Sequence, residues 1–139
     1  MSDYKRILLV DFDGVIHSYK SGWKGYDQIP DPVVPGAIDW LLQVSVHYDV
    51  AIYSSRSKDP EGLRAMKLAL GRWAREAGMP DLVALQFLAQ LNFPTEKPPA
   101  YLTIDDRCIC FRGIFPTVAE LECFRPWYQS QPSDEDPTR

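Results

Sequence analysis

Long apolar runs are missing from this sequence. The longest span only a few residues, as in Ile7-Leu8-Leu9-Val10. A membrane-spanning helix needs about 20 apolar residues, so no membrane partner is expected. Cysteine is scarce and odd in number: Cys108, Cys110 and Cys123. No C-x-x-C pair occurs, which argues against both a disulfide framework and a zinc knuckle. These cysteines are expected to be small buried hydrophobes in a reducing compartment. The N-terminus lacks an apolar signal core followed by a small-residue cleavage site, and the cytoplasm is the expected location. A basic excess is also absent, with 15 Lys and Arg against 19 Asp and Glu and a net charge of −4. Generic binding along a nucleic-acid backbone wants a basic face, which leaves room here only for a local basic pocket. No internal repeat is found.

What is present is ordinary soluble material. The chain has 139 residues, 45% hydrophobic and 24% charged. That fits one domain able to bury a core without a disulfide or metal staple. Residues 6–10 read as a buried strand that ends abruptly in Asp11-Phe12-Asp13-Gly14. Residues 17–35 mix Gly, Pro, Asp and aromatics and read as a loop or small hairpin, a flap at about 15–30 that carries Trp23 and Tyr26. A helix is expected over 37–47, then a strand over 49–53 that ends in Ser54-Ser55-Arg56. Asp59-Pro60-Glu61 is a good helix start, with a capping Asp, a Pro in the first turn and acids at the positive end. Gly78 and Pro80 stop that helix near Ala77. Residues 82–87 read as a third strand, 88–99 as an irregular Pro-rich link, 101–104 as a fourth strand and 108–111 as a short fifth. The tail from 126 to 139 is polar and Pro-rich and reads as disordered, leaving 1–125 as the domain.

Alternating strands and helices imply an α/β fold, a Rossmann-like parallel sheet of about five strands flanked by helices. In such folds ligands sit beyond the carboxyl ends of the strands. Three of the expected strands end there in polar groups: Asp11 and Asp13, Ser54, and Asp105 with Asp106. Two unit charges about 4 Å apart repel by roughly 4 kcal/mol at an effective dielectric of 20. A shared proton or a bound cation relieves that, and hard oxygen ligands suit Mg²⁺ with a phosphate. The plainer reading of any one such Asp is a helix or turn cap.

The order of the parts resembles one family. Asp11-Phe12-Asp13-Gly14-Val15 is similar to the first motif of the haloacid dehalogenase-like hydrolases. Ile52-Tyr53-Ser54-Ser55-Arg56 resembles the second, Lys97 the third, and Leu102-Thr103-Ile104-Asp105-Asp106 the fourth. The resemblance implies a Mg²⁺-dependent phosphatase. Asp11 would be the nucleophile and form an aspartyl-phosphate. Asp13 would act as general acid and base and lend its backbone carbonyl to the metal. Ser54 would bind a phosphoryl oxygen, with Ser55 competing for the role if the strand register slips by one. Lys97 would hold both Asp11 and the phosphate. Asp105 is the first choice for the metal carboxylate, with Asp106 close behind.

Several residues keep two readings. Arg56 and Arg107 either touch an anionic substrate group or pair with the acids. His17 reads as a solvated loop residue. Trp23 and Tyr26 either pack the flap down or cover a substrate. Substrate identity stays open among a nucleotide, a sugar phosphate, a nucleic-acid end and a phosphoprotein. Phosphotransfer to another acceptor and a catalytically idle scaffold are the alternatives. A receiver-like signalling domain fits worse, because its acidic pair would follow the first strand. Family members place cap domains between Asp11 and Ser54 or between Ser54 and Lys97. Both intervals are already filled, so a capless, open site is expected, suited to a bulky substrate or to enclosure in a homo-oligomer.

Overall fold

A computed structural model of the chain describes residues 4–129. Its elements run β1 (Ile7–Val10), α1 (Ala37–Ser45), β2 (Asp49–Ile52), α2 (Pro60–Glu76), α3 (Asp81–Ala89), β3 (Leu102–Ile104) and α4 (Val118–Glu122). The three strands are parallel in the order β2-β1-β3. The chain is therefore α/β, as expected, but among the described residues its sheet has three strands where about five were expected.

The central strand explains its own sequence. Leu8, Leu9 and Val10 are all buried, because helices or loops cover both faces of β1. The core continues through Phe12, Ile16, Leu41, Ile52, Met66, Leu70 and Trp73. α1 lays Ile38 and Leu41 on it, and α2 lays Met66, Leu70 and Trp73. The α2 start is the expected cap: the Asp59 carboxylate accepts from the amides of Glu61 and Gly62 at 3.0 and 2.9 Å.

Both missing strands have physical reasons. Residues 82–87 lie inside helix α3. Leu, Ala and Gln favour helix, and Ala84 and Phe87 turn inward while Leu82, Val83 and Leu85 face out. A short, mostly apolar run reads the same for a buried strand and for such a helix. The outer edge of β2 is met instead by Asn92, whose amide donates to the Val50 carbonyl at 2.9 Å and whose carbonyl accepts from Ile52 at 2.8 Å. Residues 108–111 form no strand, and all four side chains are exposed. Only Phe111 among them meets another ring, that of Phe115 at 4.8 Å, and no strand among the described residues pairs with them. Cys108, Cys110 and Cys123 are exposed thiols, which corrects the expectation of buried ones.

The expected tail divides. Residues 126–129 fold back onto the body, where the Trp127 indole donates to the Gly14 carbonyl at 2.6 Å. Residues 130–139 lie outside the described residues. No helix among the described residues is long and apolar enough to cross a membrane.

Candidate active site

Strand register builds the site. Val10 pairs with Ile52 on one side and Ile104 on the other, so all three strands end at one level. The Asp11 amide continues the ladder to the Ile104 carbonyl at 3.0 Å, and the Tyr53 amide to the Val10 carbonyl at 3.1 Å. Asp11, Ser54 and Asp105 are brought together by pairing geometry. Just past β1, Phe12 is fully buried against Trp73, with ring centroids 6.0 Å apart. Anchoring Phe12 inward leaves Asp11 and Asp13 facing the opposite way.

A cavity of about 480 Å³ opens there, lined by Asp11, Asp13, Ser54, Ser55, Lys97, Asp105 and Arg107, with Tyr19, Tyr53, Leu9 and Thr103. Its size falls within the usual range for small-ligand clefts. Every site residue expected from the sequence lines it except Arg56 and Asp106, which stand behind its walls.

Asp11, Asp105 and Asp106 place one carboxylate oxygen each within 4.8 Å of one another. Burial, then Asp106 and Asp105, push the Asp11 carboxyl from 3.8 up to about 9, against a hydrogen bond from the Phe12 amide. The two paired acids differ. Asp105 is satisfied in part by the Arg107 amide at 3.0 Å. The Asp106 side chain is 1% exposed, neither of its oxygens has a formed hydrogen bond among the described residues, and Arg107 Nε stands off at 3.9 Å. A buried carboxylate with no formed hydrogen bond and a cation only at 3.9 Å is costly.

Gly14 makes this crowding possible. Its φ is +85°, and a Cβ there would lie 2.2 Å from Asp106 Oδ2 and 2.7 Å from the Tyr128 ring.

Asp13 sits in a network that the sequence did not disclose. Arg56 is wholly buried, and its Nε donates to both Asp13 oxygens, at 3.2 and 2.9 Å. The same guanidinium holds the flap: Nη1 donates to the Gly25 and Tyr26 carbonyls, and the group lies under the Trp23 ring at 4.8 Å. Of the two readings of Arg56, pairing with an acid holds, though in the interior. Gly62 allows it, since a Cβ there would lie 2.7 Å from the Arg56 carbonyl.

His17 is fully buried, which corrects the expectation of a solvated residue. The Asp31 amide donates to its Nε2 at 3.1 Å, so Nδ1 carries the proton and donates to Asp13 Oδ1 at 2.8 Å. Its position four residues after Asp13 was the available signal. Trp23 and Tyr26 meet edge to face, with centroids 5.0 Å apart. They pack the flap over Arg56 and do not line the cavity.

The Ser54 hydroxyl accepts from the Arg56 amide at 3.0 Å and donates to Met66 Sδ at 3.5 Å. Ser55 is exposed on the cavity wall. Lys97 lines the cavity and forms no ion pair among the described residues. Arg107 lines it too, with a side chain 65% exposed.

Comparison with known proteins adds no relative: no family model matches the sequence, and neither a curated protein nor a solved structure matches it.

Proposed function

We propose that the chain is a capless, Mg²⁺-dependent phosphomonoester hydrolase of the haloacid dehalogenase-like kind, with Asp11 as nucleophile. One observation carries this reading. Asp11 is a half-buried carboxyl beside an exposed Asp105 and an Asp106 whose oxygens have no formed hydrogen bond among the described residues, at the mouth of a cleft that also holds Ser54, Ser55 and Lys97. Three clustered acids with one unsatisfied pair of oxygens fit a hard divalent cation better than they fit solvent.

Asp11, Asp105 and Asp106 would hold the ion, with Asp13 contributing its backbone carbonyl as the family resemblance implies. Between the paired acids, the absence of a formed hydrogen bond among the described residues favours Asp106 as the one that needs the cation more. Bound there, Mg²⁺ would supply the positive charge that keeps Asp11 ionised and offsets charge on the phosphoryl oxygens.

The chain's own groups account for the remaining steps. An Asp11 oxygen attacks phosphorus in line, and the bond to the leaving oxygen breaks. Asp13 gives that oxygen a proton, then takes one from the water that cleaves the Asp11 phosphoryl bond. Asp13 is an acceptor in all its hydrogen bonds here, so it takes up a proton by releasing Arg56 or His17. Ser54 and Ser55 offer hydroxyls to the phosphoryl oxygens. Ser54 gives up only a weak bond to sulfur in doing so. Lys97, which forms no ion pair among the described residues, offers its ammonium to the same oxygens and to Asp11. Water is the simplest acceptor, and another hydroxyl in its place makes the same site a phosphotransferase.

The grip of Arg56 and His17 on Asp13 favours a second reading, a scaffold that binds metal and phosphate without turnover. Hydrolysis of an aryl phosphate with and without Mg²⁺ separates the two. Turnover that needs Mg²⁺ and disappears in Asp11→Asn supports the enzyme. Absent turnover across a panel of phosphates, with Mg²⁺ still bound, supports the scaffold.

A further inference from the structure

Residues 126–129 reach the site from the far end of the described chain and have no part in the reading above. Trp127 ties them down through its hydrogen bond to the Gly14 carbonyl, 113 residues away in sequence. Tyr128 meets the Tyr19 ring edge to face, with centroids 5.7 Å apart. Its ring and the Asp106 carboxylate crowd the same point beside Gly14, at 2.7 and 2.2 Å from where a Cβ would stand. A buried carboxylate with no formed hydrogen bond among the described residues and a phenol that can donate are therefore neighbours.

We propose that Tyr128 is a positioning residue for Asp106, and that residues 126–129 form a strap that completes the metal site. This rests on the reading of Asp11, Asp105 and Asp106 as a cation site. With the ion bound, the phenol would donate to one Asp106 oxygen and leave the other for the cation. A ligand held from behind in this way keeps its orientation when the ion arrives. Trp127 fixes the strap to the backbone of the first motif, so Asp11 and Asp106 are set by one contact surface.

The test titrates Mn²⁺ into the full chain and follows free Mn²⁺ by electron paramagnetic resonance. Tyr128→Phe removes one hydroxyl, and Trp127→Phe removes the donor to Gly14. Tyr48→Phe, whose ring stacks on Tyr101 away from the site, is the control. The expected result is Mn²⁺ binding weakened about 10–100-fold in Tyr128→Phe, the usual cost of losing an outer-shell partner. Trp127→Phe should weaken binding in the same direction, and Tyr48→Phe should not. The metal-free melting temperature of Tyr128→Phe should stay close to that of the wild type. Wild-type affinity in Tyr128→Phe overturns the proposal. So does a loss of affinity matched by an equal loss of metal-free stability in both strap variants, which would make the strap merely structural. A wild-type chain that binds no Mn²⁺ sinks the metal site itself, a failure distinct from the other two.

Discussion

Replacing Asp11 by Asn should abolish turnover and, without metal, make the protein more stable. The carboxyl is pushed from 3.8 up to about 9, mainly by burial and by Asp106 and Asp105. An acid whose pKa is raised on folding binds more protons in the folded state than in the unfolded one. Folding stability is therefore whole below the unfolded value and is lost as pH rises from about 4 toward 9. Each pH unit in that window costs up to about 1.4 kcal/mol, so the upper bound at pH 7 is roughly 4 kcal/mol. Asn keeps an oxygen for the Phe12 amide and carries no charge. The gain in Asp11→Asn should then be near zero at pH 4, grow through pH 7 and level off near pH 9. Urea unfolding in a chelating buffer across that range measures it. Millimolar Mg²⁺ should narrow the gap, because the wild type binds the ion more tightly. A variant less stable than the wild type, or a gap that ignores pH, would refute the electrostatic reasoning. A carboxyl that costs stability until a cation arrives is the kind of trade-off that functional sites carry.

Other perturbations separate the parts. Gly14→Ala should destabilise the chain by about 2 kcal/mol or more and weaken Mn²⁺ binding, because its positive φ and the Asp106 contact leave no room for a methyl; thermal melts and metal titration read this. Arg56→Met should cost about 3–5 kcal/mol, since it leaves the buried Asp13 carboxylate without its main partner. It should also free Trp23, which a shift in tryptophan fluorescence would show. Asp13→Asn should retain Mn²⁺ binding and lose turnover by about 100-fold or more, the range for general acid–base catalysis. Equal loss of binding would make Asp13 a structural residue only.

The site was more legible in the sequence than the fold around it. The motif residues stand at strand ends, and parallel pairing brings strand ends to one level, so Asp11, Ser54 and Asp105 meet whatever the sheet's width. Strand count is harder. The run from 82 to 88 is apolar enough for either structure, and only packing against α2 decides for helix. Residues 108–111 are short and apolar like a strand, yet a strand needs a neighbour and a face to cover. Buried polar residues are the least visible of all. His17 and Arg56 are interior because of what they bond, and composition does not show that. Trp127 and Tyr128 stood out little, since they lie in a polar, Pro-rich stretch whose first four residues fold back.

The central claim is that phosphoryl transfer passes through Asp11. It is tested most directly by quenching the full chain in acid during turnover of an aryl phosphate with Mg²⁺, then locating any acyl phosphate by borohydride reduction and peptide mass spectrometry. The account expects the reduced residue at position 11, present in the wild type and enriched in Asp13→Asn if breakdown of the intermediate becomes slow. An active protein with no label at Asp11, or with the label on another residue, would contradict it.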